Sequence, residues 1–305
     1  MTSPAVAVNK RIRAFWCASL LTGFACCSPA YADPPRVPGR LDIRADAGFM
    51  FDDNVTRAKE TSDIRSDHAY SADLSKVFIF PGTEHARTLL TGLLGGEKFV
   101  RYNGLSHAFG GVQGEFQYRS SAGFSSPTFA VFARAFAEQY QSRLRDGSRY
   151  SAGVSMRQPV TDRIQLFGAL AHDERNGESA VFDTKDNDFR LNLDYSVTRT
   201  GTLYLTGEYR RGDIVADGQP ALELIDIAKV FALDDAFPGE QLYCYRFDGK
   251  TVIATLGYNI GFSSRHSLDI SWRRIESTPD QRPSYATSPS SYVDNQYSIV
   301  YLVNF

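Results

Sequence analysis

The sequence has little of what marks several common protein classes. Of the four cysteines, only Cys244 lies beyond residue 32, so no intrachain disulfide can form after that point and no zinc-type Cys spacing occurs. The five histidines are scattered, and no GxSxG or HExxH motif is present. The cluster His172-Asp173-Glu174 fits a hydrogen-bond network better than a catalytic or metal site. We therefore expect neither an enzyme nor a cofactor.

Long apolar runs and a strong basic charge are also missing. After residue 32 no stretch approaches the ~20 apolar residues of a transmembrane helix. The formal net charge is -2, which gives no electrostatic basis for binding nucleic acid. These two absences exclude a helical membrane protein and a nucleic-acid-binding protein.

The first 32 residues have the layout of a secretory signal peptide. A basic segment (Lys10–Arg13) precedes a short apolar run (Ala14–Cys27), and small residues follow at Ala30 and Ala32. The run is too short to cross ~30 Å of hydrocarbon. We expect cleavage before Asp33. A lipoprotein signal is the alternative, but the residues before its cysteine lack the usual branched aliphatic side chain.

The rest of the chain alternates between apolar and polar residues with a period of two. In the stretch 189–197, Phe189, Leu191, Leu193, Tyr195 and Val197 alternate with polar residues, which predicts strands with unlike faces. The connections alternate between short and long, as in outer-membrane barrels. The sequence predicts an all-β transmembrane antiparallel up-and-down barrel over residues 41–305, with about 12 strands and long external loops. Residues 33–40 are predicted to form a short periplasmic segment.

The chain ends on a strand with one fully apolar face. Tyr297, Ile299, Tyr301, Val303 and Phe305 lie on that face. In hydrocarbon a spanning sheet must close on itself, so this strand must pair with the first one and tolerate lipid. Its ending resembles the C-terminal assembly signal of bacterial outer-membrane proteins. The resemblance implies that Tyr301, Val303 and Phe305 are recognised by the barrel-assembly machinery and that the protein resides in outer-membrane lipid.

A family resemblance covers the first strand. The segment Gly48–Ala58, GFMFDDNVTRA, resembles the opening of a family of outer-membrane β-barrel porins. It is also similar to the start of the barrel of the surface lipoprotein assembly modifiers, and the hairpin Phe99–Arg119 resembles both. Those modifiers carry a helical-repeat domain before the barrel, for which residues 33–40 leave no room.

Within that motif, Asp52, Asp53 and Asn54 have two interpretations. Short polar side chains terminate strands by hydrogen bonding to turn amides. Alternatively, they form a pore mouth or a cation site.

If the apolar faces meet lipid, charged residues of both signs face the lumen. A selective pore would tend to show one sign. Either these charges pair across a narrow interior and stabilise the barrel, or they support weak transport. The lumen candidates are Arg44, Glu115, Arg119, Arg157, Arg190, Asp194, Glu208, Arg210, Asp269 and Arg273.

The longest predicted loop, Gly212–Lys250, is acidic and has apolar residues at helical spacing. It is predicted either to fold a helix into the mouth and narrow the pore, with its carboxylates meeting inward arginines such as Arg210, or to form an external cap. The constriction candidates are Leu224, Asp226, Phe231, Asp234 and Asp235.

These features indicate a narrow porin-like channel or an export accessory for an unidentified solute. One alternative is a surface interaction protein whose loops bind a partner and whose barrel is an anchor. Another is a helper of lipoprotein or protein translocation without a periplasmic repeat domain. Solute, partner and oligomeric state are left open by the sequence.

Overall fold

The computed structural model describes residues 43–121, 123–287 and 291–305. The predicted signal peptide (1–32) and periplasmic segment (33–40) lie outside the described residues. Within the described ranges, no helix is long and apolar enough to cross a membrane.

Antiparallel strands account for most of the described chain. The longer strands contain the ~9–11 residues that a tilted strand needs to cross a bilayer. The strands are β1 (Ile43–Asp52), β2 (Asp67–Pro81), β3 (Ala86–Phe99), β4 (His107–Arg119), β5 (Thr128–Tyr140), β6 (Gly147–Pro159), β7 (Ile164–Gly177), β8 (Thr184–Ser196), β9 (Gly201–Gly218), β10 (Val230–Leu233), β11 (Tyr243–Gly261), β12 (His266–Pro279) and β13 (Tyr292–Asn304).

The sheet closes into a barrel of 12 strands, with β10 as one extra strand. Each strand pairs with its chain neighbour, β9 pairs with β11, and β13 returns to β1. In that last pairing Arg44 is opposite Asn304, and the Phe305 amide donates to the Ile43 carbonyl at 2.9 Å. The predicted up-and-down barrel is therefore confirmed, and the last residue of the chain is bonded into the closing seam.

The connections alternate between short and long around the barrel, as predicted, at all but one place. One end, the turn end, carries the four-residue connections 82–85, 160–163, 197–200 and 262–265, together with 120–127, whose eight residues exceed the lengths of three connections at the other end. The other end, the loop end, carries the connections 53–66, 100–106, 141–146, 178–183, 219–242 and 280–291.

The outer face of the barrel is apolar. Leu94 is 62% exposed, and Val112, Leu170, Leu191 and Leu205 are also exposed. Buried positions on the same strands include many polar side chains, which reverses the arrangement of a soluble protein. An exposed apolar band around a closed barrel matches the lipid-facing surface of a membrane barrel.

The sequence pattern was ambiguous in β3 and β5 because both faces carry apolar residues. In β3, Leu89, Leu93 and Phe99 are buried, whereas Leu90 and Leu94 are exposed. In β5, Phe136 faces inward, and its ring packs where a side chain on Gly111 would lie. The lumen is therefore partly apolar on this side.

The acidic loop differs from its prediction. Only Leu222–Ile225 forms a helical turn, α1, whereas Val230–Leu233 forms β10 on the edge of β11. β12 pairs with β11 only from Gly249 onward, so the loop-end part of β11 has a free edge that β10 satisfies. The predicted helix through Phe231 is wrong, because backbone pairing with that edge outweighs the helical spacing.

Candidate functional site: the lumen and the loop-end cap

The predicted lumen residues lie on inward positions of the wall, and most are paired there. Arg44 donates to Asp46 at 2.8 Å. Glu208 accepts from both Arg190 and Arg210. The other carboxylates accept hydrogen bonds: Glu115 from Gln113 and Gln117, Asp194 from Asn192, and Asp269 from Tyr204. Arg119 donates to the Gly123 carbonyl at the turn end. Arg157 lies over the Phe167 ring, and Arg273 is buried near the charge of Glu208.

These ion pairs run along the wall. The Arg44–Asp46 pair lies within one strand, and the Arg190–Glu208 pair joins two neighbouring strands. Glu138 on β5 pairs with Arg149 on β6 and Arg175 on β7. The pairs named here thus lie within one strand or join strands one or two places apart in the sheet. Pairing across the interior was one of the two interpretations of the sequence, and these particular pairs do not show it. None of these ion pairs therefore crosses the centre of the barrel.

The loop-end parts of β9 and β11, together with β10, form a ribbon that extends past the rim of the barrel. Gly218 is opposite Tyr243 at its upper end. Val181 and Phe182 from the connection 178–183 pack against Cys244 of the ribbon. Burial and the charges of Asp217 and Asp234 raise the pKa of the Cys244 thiol, so it stays neutral and packed.

The ribbon continues into the segment Asp234–Leu242, here called the cap, which reaches the loops on the opposite side of the mouth. Starting from β11, β4 is six strands away in either direction around the 12-stranded barrel. The cap nevertheless contacts the β3–β4 connection, where the Phe237 ring lies 5.0 Å from the Tyr102 ring. Ala236, Phe237 and Leu242 are fully buried. The cap therefore spans the mouth.

Polar contacts join the cap to two further loops. Arg65 of the β1–β2 connection donates to Glu240 at 2.6 Å, and this bond holds the pKa of Glu240 below its usual range. Arg145 of the β5–β6 connection pairs with Asp234. Ser142 of the same connection donates to Asp235. Three loops thus hold one short segment across the mouth.

The constriction candidates divide between this cap and the outer side of the ribbon. Asp234 and Asp235 belong to the cap, and Leu224 is buried in a cluster with Tyr245 and Phe247. Phe231 is 44% exposed and Asp226 accepts from Tyr285, so these two residues lie away from the cap contacts. The carboxylates meet arginines of other loops, Arg145 and Arg65, whereas Arg210 pairs with Glu208. The expected pairing with Arg210 is therefore wrong.

Sequence reasoning missed the residues that receive the cap. No sequence motif marks these residues, because their partners in the cap are distant in sequence. They are Arg65, Tyr102, Gly104 and Arg145. Gly104 shows how close the contact is: a side chain there would lie 2.3 Å from the Ala236 Cα atom. A glycine between Asn103 and Leu105 in a tight connection was the one available indication.

The motif Asp52-Asp53-Asn54 ends β1 at the loop end. Asp52 accepts from the Asn54 amide at 2.8 Å, which is the turn-terminating role expected of short polar side chains. The Asn54 side chain donates to the carbonyls of Ala58 and Val293. The motif therefore fastens the β1–β2 connection to β13.

Solved structures resemble this chain in fold. An outer membrane channel from Pseudomonas putida F1 aligns with a TM-score of 0.53 at 10% identity, over 89% of this chain and 100% of that chain. The KdgM porin in complex with disordered oligogalacturonate gives 0.45 at 10% identity, over 86% and 99%. LpxR from Salmonella typhimurium gives 0.39 at 10% identity, over 86% and 100%. This chain folds as an outer-membrane β-barrel. No protein-family model and no curated protein sequence matches this chain.

The histidines of the barrel are not gathered into one site. His172 is exposed on the outer face and contacts Asn187 at 3.0 Å. His266 contacts the Tyr301 hydroxyl at 2.8 Å near the turn end. His107 stacks on Tyr140 at the loop end. That the barrel is not an enzyme stays a prediction.

Proposed function

We propose that this barrel is a narrow outer-membrane channel for a small polar solute, gated at its loop end by the cap Asp234–Leu242. The observation that carries this proposal is the cap itself, which is tied by Arg65, Tyr102 and Arg145 to the far side of the mouth. A barrel serving as a plain anchor has no need of a closed mouth.

The lining of the barrel supports a polar solute. Arginines and carboxylates are paired along the wall, so a passing solute meets alternating charges and hydrogen-bonding groups. A barrel of about 12 strands lies between the filled eight-stranded barrels and the open 16-stranded porins, which favours a small solute. We infer an outer-membrane location with the loop end outward, following the usual orientation of such barrels.

The cap is attached by contacts of moderate strength. Exposed ion pairs contribute ~0–1 kcal/mol each, and the Arg65–Glu240 pair is partly exposed. Burial of a side chain such as Phe237 contributes ~1.5–3 kcal/mol. Because the cap lies outside the hydrogen-bonded wall, it can open on binding or under an applied voltage while the barrel wall stays intact.

The test is single-channel recording in planar bilayers with a variant that lacks the cap. Because Gly218 pairs with Tyr243, residues 219–242, which comprise α1, β10 and the cap, can be replaced by Asn-Gly, which closes the ribbon as a two-residue hairpin. We expect a severalfold higher conductance and weaker cation preference, since Asp234, Asp235 and Glu240 are lost. Heat-modifiable mobility on gels checks that the barrel has folded.

A second candidate function is binding of a partner at the cell surface. A groove at the loop end, between the connections 53–66 and 280–291 and the ribbon, favours it. The groove is lined by Tyr245, Phe247, Tyr292, Lys59 and Arg282, among others. If neither the native barrel nor the cap-free variant conducts ions, the channel proposal fails and this surface function is the better one.

A further inference from the structure

Three aspartates meet at the loop end of the seam where the barrel closes. Asp52 and Asp53 follow one another at the end of β1, and Asp294 lies near the start of β13. One carboxylate oxygen from each lies within 4.8 Å of the others. Asp52 and Asp294 are each only 1% exposed. Two buried carboxylates in contact repel each other strongly unless a cation or a shared proton lies between them.

The hydrogen bonds of this cluster leave one oxygen unused. Asp52 accepts from the Asn54 amide at 2.8 Å and from Gln296 Nε2 at 2.9 Å. Asp53 accepts from the Asn295 amide at 2.7 Å and from its side chain at 2.9 Å. Asp294 accepts from Gln296 Nε2 at 3.2 Å through Oδ2. Its Oδ1 is buried and has no hydrogen-bond partner among the residues that the structure describes.

A fourth carboxylate adds to the negative charge. Glu97 on β3 is 4% exposed, and neither of its carboxylate oxygens has a hydrogen-bond partner in the described part of the chain. The charges that act on it are those of Asp52 and Asp73. The cationic side chains whose charges act on Asp294 are Arg57 and Arg273. Acidic groups thus outnumber basic ones on this stretch of wall.

The donor set indicates which cation fits. The three ligands of the cluster are carboxylate oxygens, which suit hard divalent cations and disfavour zinc or copper. Calcium binds oxygen at about 2.3–2.6 Å, so ligands on opposite sides of one ion lie up to about 5 Å apart. The three aspartates meet that limit. The Asp294 Oδ1 oxygen accepts no hydrogen bond from a described residue, and a bound cation would take the place of the proton shared between the Asp52 and Asp294 carboxyl groups.

We propose that Asp52, Asp53 and Asp294 bind a calcium ion that links β1 to β13 and stabilises the closing seam of the barrel. The motif Asp52-Asp53-Asn54 then has two tasks: Asn54 fastens the connection, and the aspartates bind the ion. The site is separate from the cap, so it does not depend on the proposed channel.

A second cluster, Asp217, Asp234 and Cys244, is a poorer candidate. Arg145 already lies within it, paired with Asp234 and 3.7 Å from Asp217. An arginine at that place neutralises the carboxylates and repels a metal ion. An unpartnered carboxylate oxygen occurs in both clusters, on Asp217 and on Asp294, so the seam cluster is distinguished by the additional charge of Glu97.

The experiment measures thermal unfolding of the refolded full barrel in detergent, by heat-modifiable mobility, with calcium chloride or with a chelator. We expect calcium to raise the midpoint saturably by several degrees, because a ligand that binds only the folded state stabilises it. Asp294→Asn, which keeps size and shape, should weaken the calcium response at least tenfold. Asp248→Asn, an exposed change of the same charge, should leave it unchanged.

Three results would overturn the proposal. The first is an identical midpoint in calcium and in chelator, which would show that the carboxyl groups share a proton. The second is an unchanged calcium response in Asp294→Asn. The third is an equal response to magnesium, which would reject the preference for calcium. If Asp294→Asn does not refold, Asp53→Asn is measured in its place, because Asp53 is less buried and its loss disturbs the seam less.

Discussion

At the scale of single residues, Asp217 is a buried carboxylate at the loop end whose ionisation lowers the stability of the fold. It is buried beside Asp234, its Oδ1 has no partner among the described residues, and Arg145 is 3.7 Å from its other oxygen. Burial, with the charge of Asp234 next, raises the pKa of Asp217 well above its usual value. A folded-state pKa above the unfolded value means that stability rises as the pH falls from neutral toward about 4. At neutral pH an ionised Asp217 is therefore destabilising.

Asp217→Asn should accordingly stabilise the protein at neutral pH, by roughly 1 kcal/mol or about 2–4 °C in Tm. It should also flatten the dependence of Tm on pH between about 4 and 7. Asp234→Asn is the matched control, because it leaves the Arg145 charge buried without its partner and should destabilise. Equal effects of both substitutions on Tm would contradict this account of the pair.

At the scale of elements, the cap depends on one close backbone approach. A side chain on Gly104 would lie 2.3 Å from the Ala236 Cα atom and 2.8 Å from its carbonyl oxygen, and backbone cannot give way as a flexible side chain does. Gly104→Ala should therefore displace the cap without changing the lumen wall. We expect more frequent open events in planar bilayers. Gly114→Ala, where a side chain meets nothing within 4 Å, should behave like the native protein.

The same element shows where sequence reasoning succeeds and fails. The strands were predictable because alternation with a period of two and short turns are local properties, visible at Phe189–Val197 and in connections such as 160–163. The path of the acidic loop was not, because Val230–Leu233 pairs with an edge of β11 that only the closed barrel creates. Likewise Asp52 and Asp294 meet only through the seam, so the motif near β1 gave half of the site.

At the scale of the whole molecule, closure of the sheet allows the backbone of the barrel to lie in a membrane. Each of the 12 barrel strands has two hydrogen-bonded neighbours, because β13 pairs with β1, so the described wall presents no unpaired edge to the membrane. The seam is linked at the turn end by the Phe305 amide bond to Ile43 and at the loop end by hydrogen bonds from Gln296 to Asp52 and from Asn295 to Asp53. The backbone amide of Phe305 is therefore still part of the hydrogen-bonded wall.

Removing Phe305 should separate the stability of the folded barrel from its assembly. The deletion costs one backbone hydrogen bond, about 1 kcal/mol, and a ring that is 49% exposed, while the pairing of Arg44 with Asn304 is kept. Refolding in detergent should therefore be nearly normal. Insertion in cells should fall severalfold, because the assembly machinery is expected to recognise the final aromatic. Phe262→Ala removes an exposed aromatic at the same end of the barrel and should leave insertion intact. Equal losses in detergent and in cells would assign Phe305 a packing role instead.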